Sequence, residues 1–307
     1  METLVVEVRR AESRALDVPL AAPFTIATLR LERMGNEAVR VELRNGCGGG
    51  GTRREACEVL RRNPAMALGR ALGEIAAILP GHEFASLALK YRKQGFQTLK
   101  LKVSKDVKAD IKVLQAIRAV HPTCSFILDA NEGYKSSEAI LRWGVTPILF
   151  EQPVHRDDWE GLGHGSQIAM GKYGISVAAD ESCQSLDDIK TIVKGNLANV
   201  INIELAKLGV VGALDIIEFA REHGLDLMIG GTVEMRLAMG FAGHLAAVFG
   251  CFKFIDLDTP LLLAEDPVFG GYKVSGANYR FSNARSHGGF LHWDNIVCER
   301  PYEGLGN

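Results

Sequence analysis

The strongest constraint on this chain is a rhythm that begins at Leu87 and runs to about residue 260, in which short β-rich runs alternate with helical stretches. The strand-like runs are QTLKLKV, SFILDA, PILFEQ, ISVAAD, NVINIEL, DLMIGG and CFKFIDLD, and helical composition fills intervals such as 109–120, 186–194, 211–223 and 236–249. Alternation of this kind builds a parallel sheet, because a parallel neighbour can be reached only through a crossover connection. Seven such strands, each ending in a polar or small residue, predict a TIM-type barrel with its site at the C-terminal face, with a doubly wound sheet as the alternative.

The flanks follow other rules. Residues 3–9 and 37–44 alternate apolar with polar, and APFTIATLRLE between them reads similarly, so an N-terminal three-stranded antiparallel sheet is expected. The glycine-rich stretch 47–51 reads as a loop, 55–79 as helix interrupted at Pro64, and Pro80-Gly81 as its end. After Asp266 the sequence turns mixed and glycine-rich. The expected organisation is a capping domain from residues 1–86 plus 266–307 and a barrel domain from 87–265.

The ends of the strand-like runs carry the chemistry. Lys100 and Lys102, Asp129, Glu151, Asp180, Glu204 with Lys207, and Asp256 with Asp258 stand there in order. From Lys102 through Asp129, Glu151 and Asp180 to Lys207 the steps are 27, 22, 29 and 27 residues, each about one βα unit. Charge is therefore placed at one height of successive strands, where carboxylates about 4.8 Å apart can converge. Asp129, Glu151 and Asp180 offer hard oxygen and neither nitrogen nor sulfur, a donor set for Mg²⁺ rather than zinc. Any one of these acids could instead cap the following helix; three on consecutive strands flanked by lysines are not explained that way.

Composition narrows the partners. The formal charge of −2, from 35 basic and 37 acidic residues, leaves no electrostatic footprint for nucleic acid or an anionic membrane. Six cysteines without a CxxC pair suit reduced thiols, and no apolar run approaches the roughly 20 residues of a membrane span. Met1 leads directly into LVVEV without a signal peptide, so a cytoplasmic protein acting on a small molecule is expected.

KLK, LDAN, FEQP, ADES and NIELAK, in that order and spacing, resemble the muconate-lactonizing branch of the enolase superfamily, and IDLDTPLLLAEDP with GGTVEMRLAMGFAGHLA resembles its dipeptide epimerases. The resemblance covers residues 94–271 and, less closely, 3–45. It implies an α/β fold, a modified (β/α)7β barrel under an α+β cap, with one Mg²⁺ held by Asp129, Glu151 and Asp180 and with Lys102 and Lys207 as catalytic residues. It also implies a substrate site at Lys100, Thr232, Glu234, Asp256 and Asp258, and epimerisation of dipeptides of the L-Ala-D/L-Glu type. On the second and sixth strands of an eight-strand ring the two lysines would face each other, one able to remove an α-proton and the other to return it. A base must be partly neutral, and Mg²⁺ with Lys100 nearby would lower the Lys102 pKa. The acidic pair on the eighth strand would receive the dipeptide ammonium; otherwise it is a surface pair before a proline turn. The same machinery under other caps performs N-acylamino acid racemisation, muconate cycloisomerisation or succinylbenzoate synthesis.

Three departures stand against that resemblance. GCGGGGTRREACEV replaces a Gly-Trp-Gly-Glu-like segment, and Glu204 stands where relatives often carry a further lysine. PGHEFAS runs directly into LALKYRKQGF, where the last cap helices and first barrel strand are expected. The chain thus has the look of one from which the first barrel strand has been deleted, and a catalytically silent, metal-binding isoform is the contrasting expectation. Homo-oligomerisation is left open.

Overall fold

The computed structural model describes residues 7–26, 29–44, 56–62, 81–103, 106–134, 144–281 and 289–291. The glycine-rich stretch 47–51 and most of the expected helix over 55–79 lie outside them. Three antiparallel strands open the chain in the order β1 (Glu7–Ile26), β2 (Leu29–Arg44) and β3 (Ala56–Arg62). Two boundaries differ from expectation. β1 and β2 form one long hairpin instead of three short strands, and 56–62 pairs with β2, Ala38 facing Leu60, where helical composition had pointed to helix. An unpaired edge of β2 accepts a strand whatever the local preference, so tertiary pairing overrides propensity.

The βα rhythm then appears as read: α1 (Gly81–Lys93), β4 (Thr98–Lys102), α2 (Val107–Val120), β5 (Ser125–Asp129), β6 (Leu149–Glu151), α3 (Trp159–Tyr173), β7 (Ser176–Ala179), α4 (Leu186–Gly195), β8 (Val200–Glu204), α5 (Leu205–Glu222), β9 (Asp226–Gly230), α6 (Arg236–Phe249) and β10 (Phe252–Ile255). The helices start and face as their sequences dictate. Asp106, Asp158 and Ser185 cap α2, α3 and α4 with side-chain oxygens on free backbone N–H groups. In α5 the buried residues Ala213, Ile216, Ile217 and Ala220 recur at helical spacing and form one stripe against the sheet.

Strands β4 to β10 form one parallel sheet in chain order. The register places Lys102 beside Asp129 and Asp129 beside Glu151. Ile127, Leu149, Ala178, Val200, Met228 and Phe254, one from each of six successive strands, make a single buried cluster that fills the concave side. A larger cluster lies between sheet and helices, with Phe126, Phe150, Ile189 and Ile201 fully enclosed. β4 and β10 end the sheet; among the described residues no strand lies between them.

Past β10 a 3-10 turn, Thr259–Leu262, brings the chain back to the N-terminal hairpin. Leu20 and Leu263 form a β-bridge, and Ala264 donates to the Pro19 carbonyl at 2.9 Å. Val18, Leu20, Met34 and Ala38 share one core with Val233, Met235, Leu237 and Leu263. The hairpin is thereby packed against the segment that follows β9.

Candidate active site

Strand side chains alternate between faces, so the residue two positions beyond each member of the concave apolar layer points the same way. Those residues are Asp129, Glu151, Asp180, Asn202, Gly230 and Asp256. The apolar layer is a floor, and a polar ring stands on it. Lys100, Lys102, Glu204 and Asp258 belong to the same ring. Glycine is required at 230: a Cβ there would stand 2.8 Å from the Asn202 Oδ1. Lys207 comes from the single turn that follows β8, which Gly209 (φ 69, ψ 165) separates from the rest of α5.

Every expected ligand is engaged by a lysine. Lys102 Nζ donates to Asp129 Oδ2 at 2.5 Å and Lys207 Nζ to Asp180 Oδ1 at 2.5 Å, with a further bond to the Asp180 carbonyl at 2.7 Å. Lys100 lies 3.0 Å from Glu151 Oε1, 3.2 Å from Asp129 Oδ2 and 2.8 Å from Asp256 Oδ2. With the side chains so engaged, no three His, Cys, Asp or Glu among the described residues close on one point. Thr232 Oγ1 donates to Glu234 Oε1 at 3.0 Å, both beyond β9 where the N-terminal hairpin packs.

Further residues complete the ring. Asn202 Nδ2 donates to Glu151 Oε1 at 3.1 Å, and Asn131 Nδ2 to Glu181 Oε1 at 3.1 Å. Gln152 Oε1 accepts from the Asp180 and Ser182 backbone N–H groups at 2.9 and 3.1 Å, tying the end of β6 to the end of β7. Asn131, Glu132 and Gln152 take φ of 40°, 66° and 35°, unusual for residues with a Cβ and concentrated beside the ligand strands. Asn202 was legible from the layer alone, as Val200 plus two. Gln152 and Glu181 lie within the FEQP and ADES motifs, but their spacing alone gave them no role apart from the neighbouring Glu151 and Asp180.

The electrostatics are those of a site short of positive charge. Burial, then Asp129, pushes Glu151 up to about 8; burial, then Asp180, does the same to Glu181 and to Glu204. Burial and Asp256 raise Asp258 to about 7. For the lysines, burial works to lower the pKa but the carboxylates outweigh it: Asp129 leaves Lys102 raised, and Asp180 raises Lys207 strongly. Lys100 lowers the Lys102 pKa as expected, but by less than the directly bonded Asp129 raises it. Three lysines among eight carboxyls, all hard oxygen donors, fit a divalent cation: the fully buried Glu151 turns both oxygens to the single Lys100 ammonium, each 3.0 Å from it, and Oε2 has no other polar partner among the described residues.

The chain belongs to the enolase C-terminal domain-like family, whose profile matches residues 83–284. It is 58% identical to the L-Ala-D/L-amino acid epimerase of Populus trichocarpa over 369 aligned positions that cover 97% of this chain and 88% of that protein. Alignments with bacterial epimerases cover only 50–57% of those proteins. Among solved structures, a mandelate racemase/muconate lactonizing protein from Herpetosiphon aurantiacus superposes with a TM-score of 0.80 at 29% identity, over 94% of this chain and 99% of its own. The dipeptide epimerase of Enterococcus faecalis V583, complexed with Mg and L-Leu-L-Tyr, shares the fold at a TM-score of 0.78 and 24% identity, over 92% of this chain and 99% of its own. The barrel-type α/β reading is thus the fold of the family.

Proposed function

We propose that this protein is a Mg²⁺-dependent dipeptide epimerase, an isomerase that inverts the α-carbon of a short dipeptide by moving one proton between Lys102 and Lys207. The observation that carries the reading is the arrangement of these two ammonium groups. They stand four strands apart in the sheet, each on a carboxylate, with the Asp129–Glu151–Asp180 arc between them. A substrate α-carbon lying over that arc meets one amine on each face. One lysine takes the proton as base, and the other delivers its own to the opposite face.

Asp129, Glu151 and Asp180 would hold the Mg²⁺, whose charge offsets the negative charge that develops on the substrate carboxylate as the α-proton leaves. Asp129 and Asp180 set the proton affinity of the two lysines, so whatever draws charge from these carboxylates makes its lysine a better base. Asn202 and Lys100 hold Glu151 in place. Asp256 and Asp258, at the far end of the ring, suit the ammonium of a dipeptide, and Thr232 and Glu234 border the pocket where the hairpin meets it. The same reading divides the chain into a cap, 1–86 with 266–307, and a barrel, 87–265, and places it in the cytoplasm; no helix among the described residues is long and apolar enough to cross a membrane.

The test is incubation with a dipeptide panel that includes L-Ala-L-Glu and L-Ala-D-Glu, with Mg²⁺ in D₂O. Deuterium is expected at the α-carbon of one residue of a preferred dipeptide together with its epimer. No incorporation into any member contradicts the proposal.

A further inference from the structure

Asp256 and Asp258 lie just past β10, where the parallel ladder runs out. The Asp256 N–H still donates to the Ile229 carbonyl at 2.8 Å, and the Asp258 carbonyl accepts from the Leu261 N–H at 2.8 Å as the 3-10 turn begins. Between those two ties stands Leu257. Its side chain is buried on the helix side of the sheet with Met239, Ala242 and Ala246 of α6, and its carbonyl accepts from Tyr279 Oη at 2.9 Å. A peptide unit is planar, so a bond to that oxygen fixes the plane that carries the Asp258 nitrogen and Cα. Asp256 is already taken by Lys100 at 2.8 Å, which leaves Asp258 as the member of the pair whose aim depends on that plane.

The hydroxyl that makes this bond has a stiff mount. Tyr279 belongs to the tail hairpin of strands Tyr272–Ser275 and Asn278–Phe281, and its ring stacks on Tyr272 with centroids 4.6 Å apart. Arg236, at the start of α6, donates to the Tyr272 carbonyl at 3.1 Å and lies 4.9 Å from the centroid of the Tyr272 ring. The Phe281 ring lies against His244 and fills the space that a Cβ on Gly243 would occupy, and the Ala277 N–H donates to the Gln94 carbonyl at 3.1 Å just past α1. The hairpin is thus pinned to α6 and to the end of α1, and Tyr279 reaches from it to the rim of the site.

The groups that act on the charge of Asp258 are Asp256, Lys100 and Lys102 at the strand ends, Tyr279 on the hairpin and Tyr91 on α1. Burial, then Tyr272 and Asp258, push the Tyr279 phenol up, so at neutral pH it keeps its proton and serves the carbonyl as a donor. A buried carbonyl that loses its donor is costly to leave unpaired. Without the hydroxyl the Leu257 peptide turns toward another donor or water and carries Asp258 with it.

We infer that Tyr279 is a positioning residue for the acidic pair, holding the Leu257 peptide so that Asp258 faces the ring, and that the tail hairpin thereby sets the preference of the site for a substrate with a free ammonium group. The inference rests on the reading that this pair receives the dipeptide amine. Proton transfer belongs to Lys102 and Lys207, bonded to Asp129 and Asp180, so Tyr279 acts on which dipeptide is held and not on the chemical step.

Tyr279→Phe keeps the ring and its stack on Tyr272 and removes one hydroxyl. In the full-length protein with Mg²⁺ it should weaken calorimetric binding of a dipeptide with a free amino terminus by about tenfold, leave binding of the N-acetylated dipeptide unchanged, and raise KM with kcat little altered. Burial and Asp256 hold Asp258 at about 7; carboxyl-carbon NMR of the variant without substrate should show it titrating lower, toward the ordinary carboxylate range, as it leaves that buried place. Ile189→Ala, destabilised on the helix side of the sheet, should do neither, which separates the aim of Asp258 from a general loss of stability. An Asp258 titration unchanged by Tyr279→Phe overturns the inference, as does equal weakening of free-amino and N-acetylated dipeptides, or the same changes in Ile189→Ala. If the unmodified protein binds no dipeptide, the epimerase reading falls, and the Asp258 titration, which needs no substrate, still decides the role of Tyr279.

Discussion

At the scale of single residues, the site is a ring of carboxyls engaged by Lys100, Lys102 and Lys207, and protonation follows from who touches whom. Asp258 illustrates the consequence. Burial and Asp256 hold it at about 7, while a dipeptide α-amino group titrates near about 8. Below about 7 the carboxyl is neutral and attracts an ammonium weakly; above about 8 the amine has lost its charge. Calorimetric titration of a dipeptide with a free amino terminus should show tightest binding between these values, with the acid limb missing in Asp258→Asn and both limbs missing for an N-acetylated dipeptide. An identical profile in Asp258→Asn would remove this residue from ammonium recognition. The residues named from sequence were found because strand-end charges recur at one βα unit. Glu181 and Gln152 were not, because their roles depend on which neighbour's loop they meet, and pairwise loop geometry leaves no period in a sequence.

At the scale of elements, the polar ring is only as well placed as the apolar floor beneath it. Gly230→Ala sets a Cβ 2.8 Å from Asn202 Oδ1 in the packed interior, a cost of about 1–3 kcal/mol. Because Asn202 also holds Glu151, the same substitution should weaken Mg²⁺ binding. Urea unfolding and metal titration measure the two effects, and unchanged metal affinity would detach Asn202 from positioning the ligand. Ile189, wholly buried on α4, acts on the other side of the sheet: Ile189→Ala should cost about 2–5 kcal/mol with metal affinity little altered. The helices and parallel strands were legible because their periods are local. The strand at 56–62 was not, since its ladder with β2 is formed by residues some twenty positions away, and a helical composition cannot announce a free edge elsewhere.

At the scale of the whole molecule, the seven-strand parallel sheet carries the proposed metal ligands on β5, β6 and the end of β7, inside the sheet, while Lys102 and the Asp pair belong to the first and last of its described strands. Metal binding and catalysis should therefore separate. Mg²⁺ at a hundredfold excess over its Kd should stabilise the fold by about 2.7 kcal/mol, measured as a melting shift that Glu151→Gln abolishes, and this should hold even where turnover is slow. Absence of any shift would mean that the ring does not take the ion. The order of the seven parallel strands was legible in the sequence because each βα unit carries its own local period; the tie between the first and last of them was not, since Lys100 and Asp256 are 156 residues apart.

The central claim is that Lys102 and Lys207 address opposite faces of one α-carbon. The direct measurement is solvent deuterium exchange, followed by NMR, of the two epimers of a substrate dipeptide with Lys102→Ala and Lys207→Ala in the presence of Mg²⁺. Neither variant should interconvert the epimers, and each should exchange the α-proton of one epimer only, the two variants choosing opposite epimers. Exchange of both epimers at the unmodified rate by both variants would contradict the account.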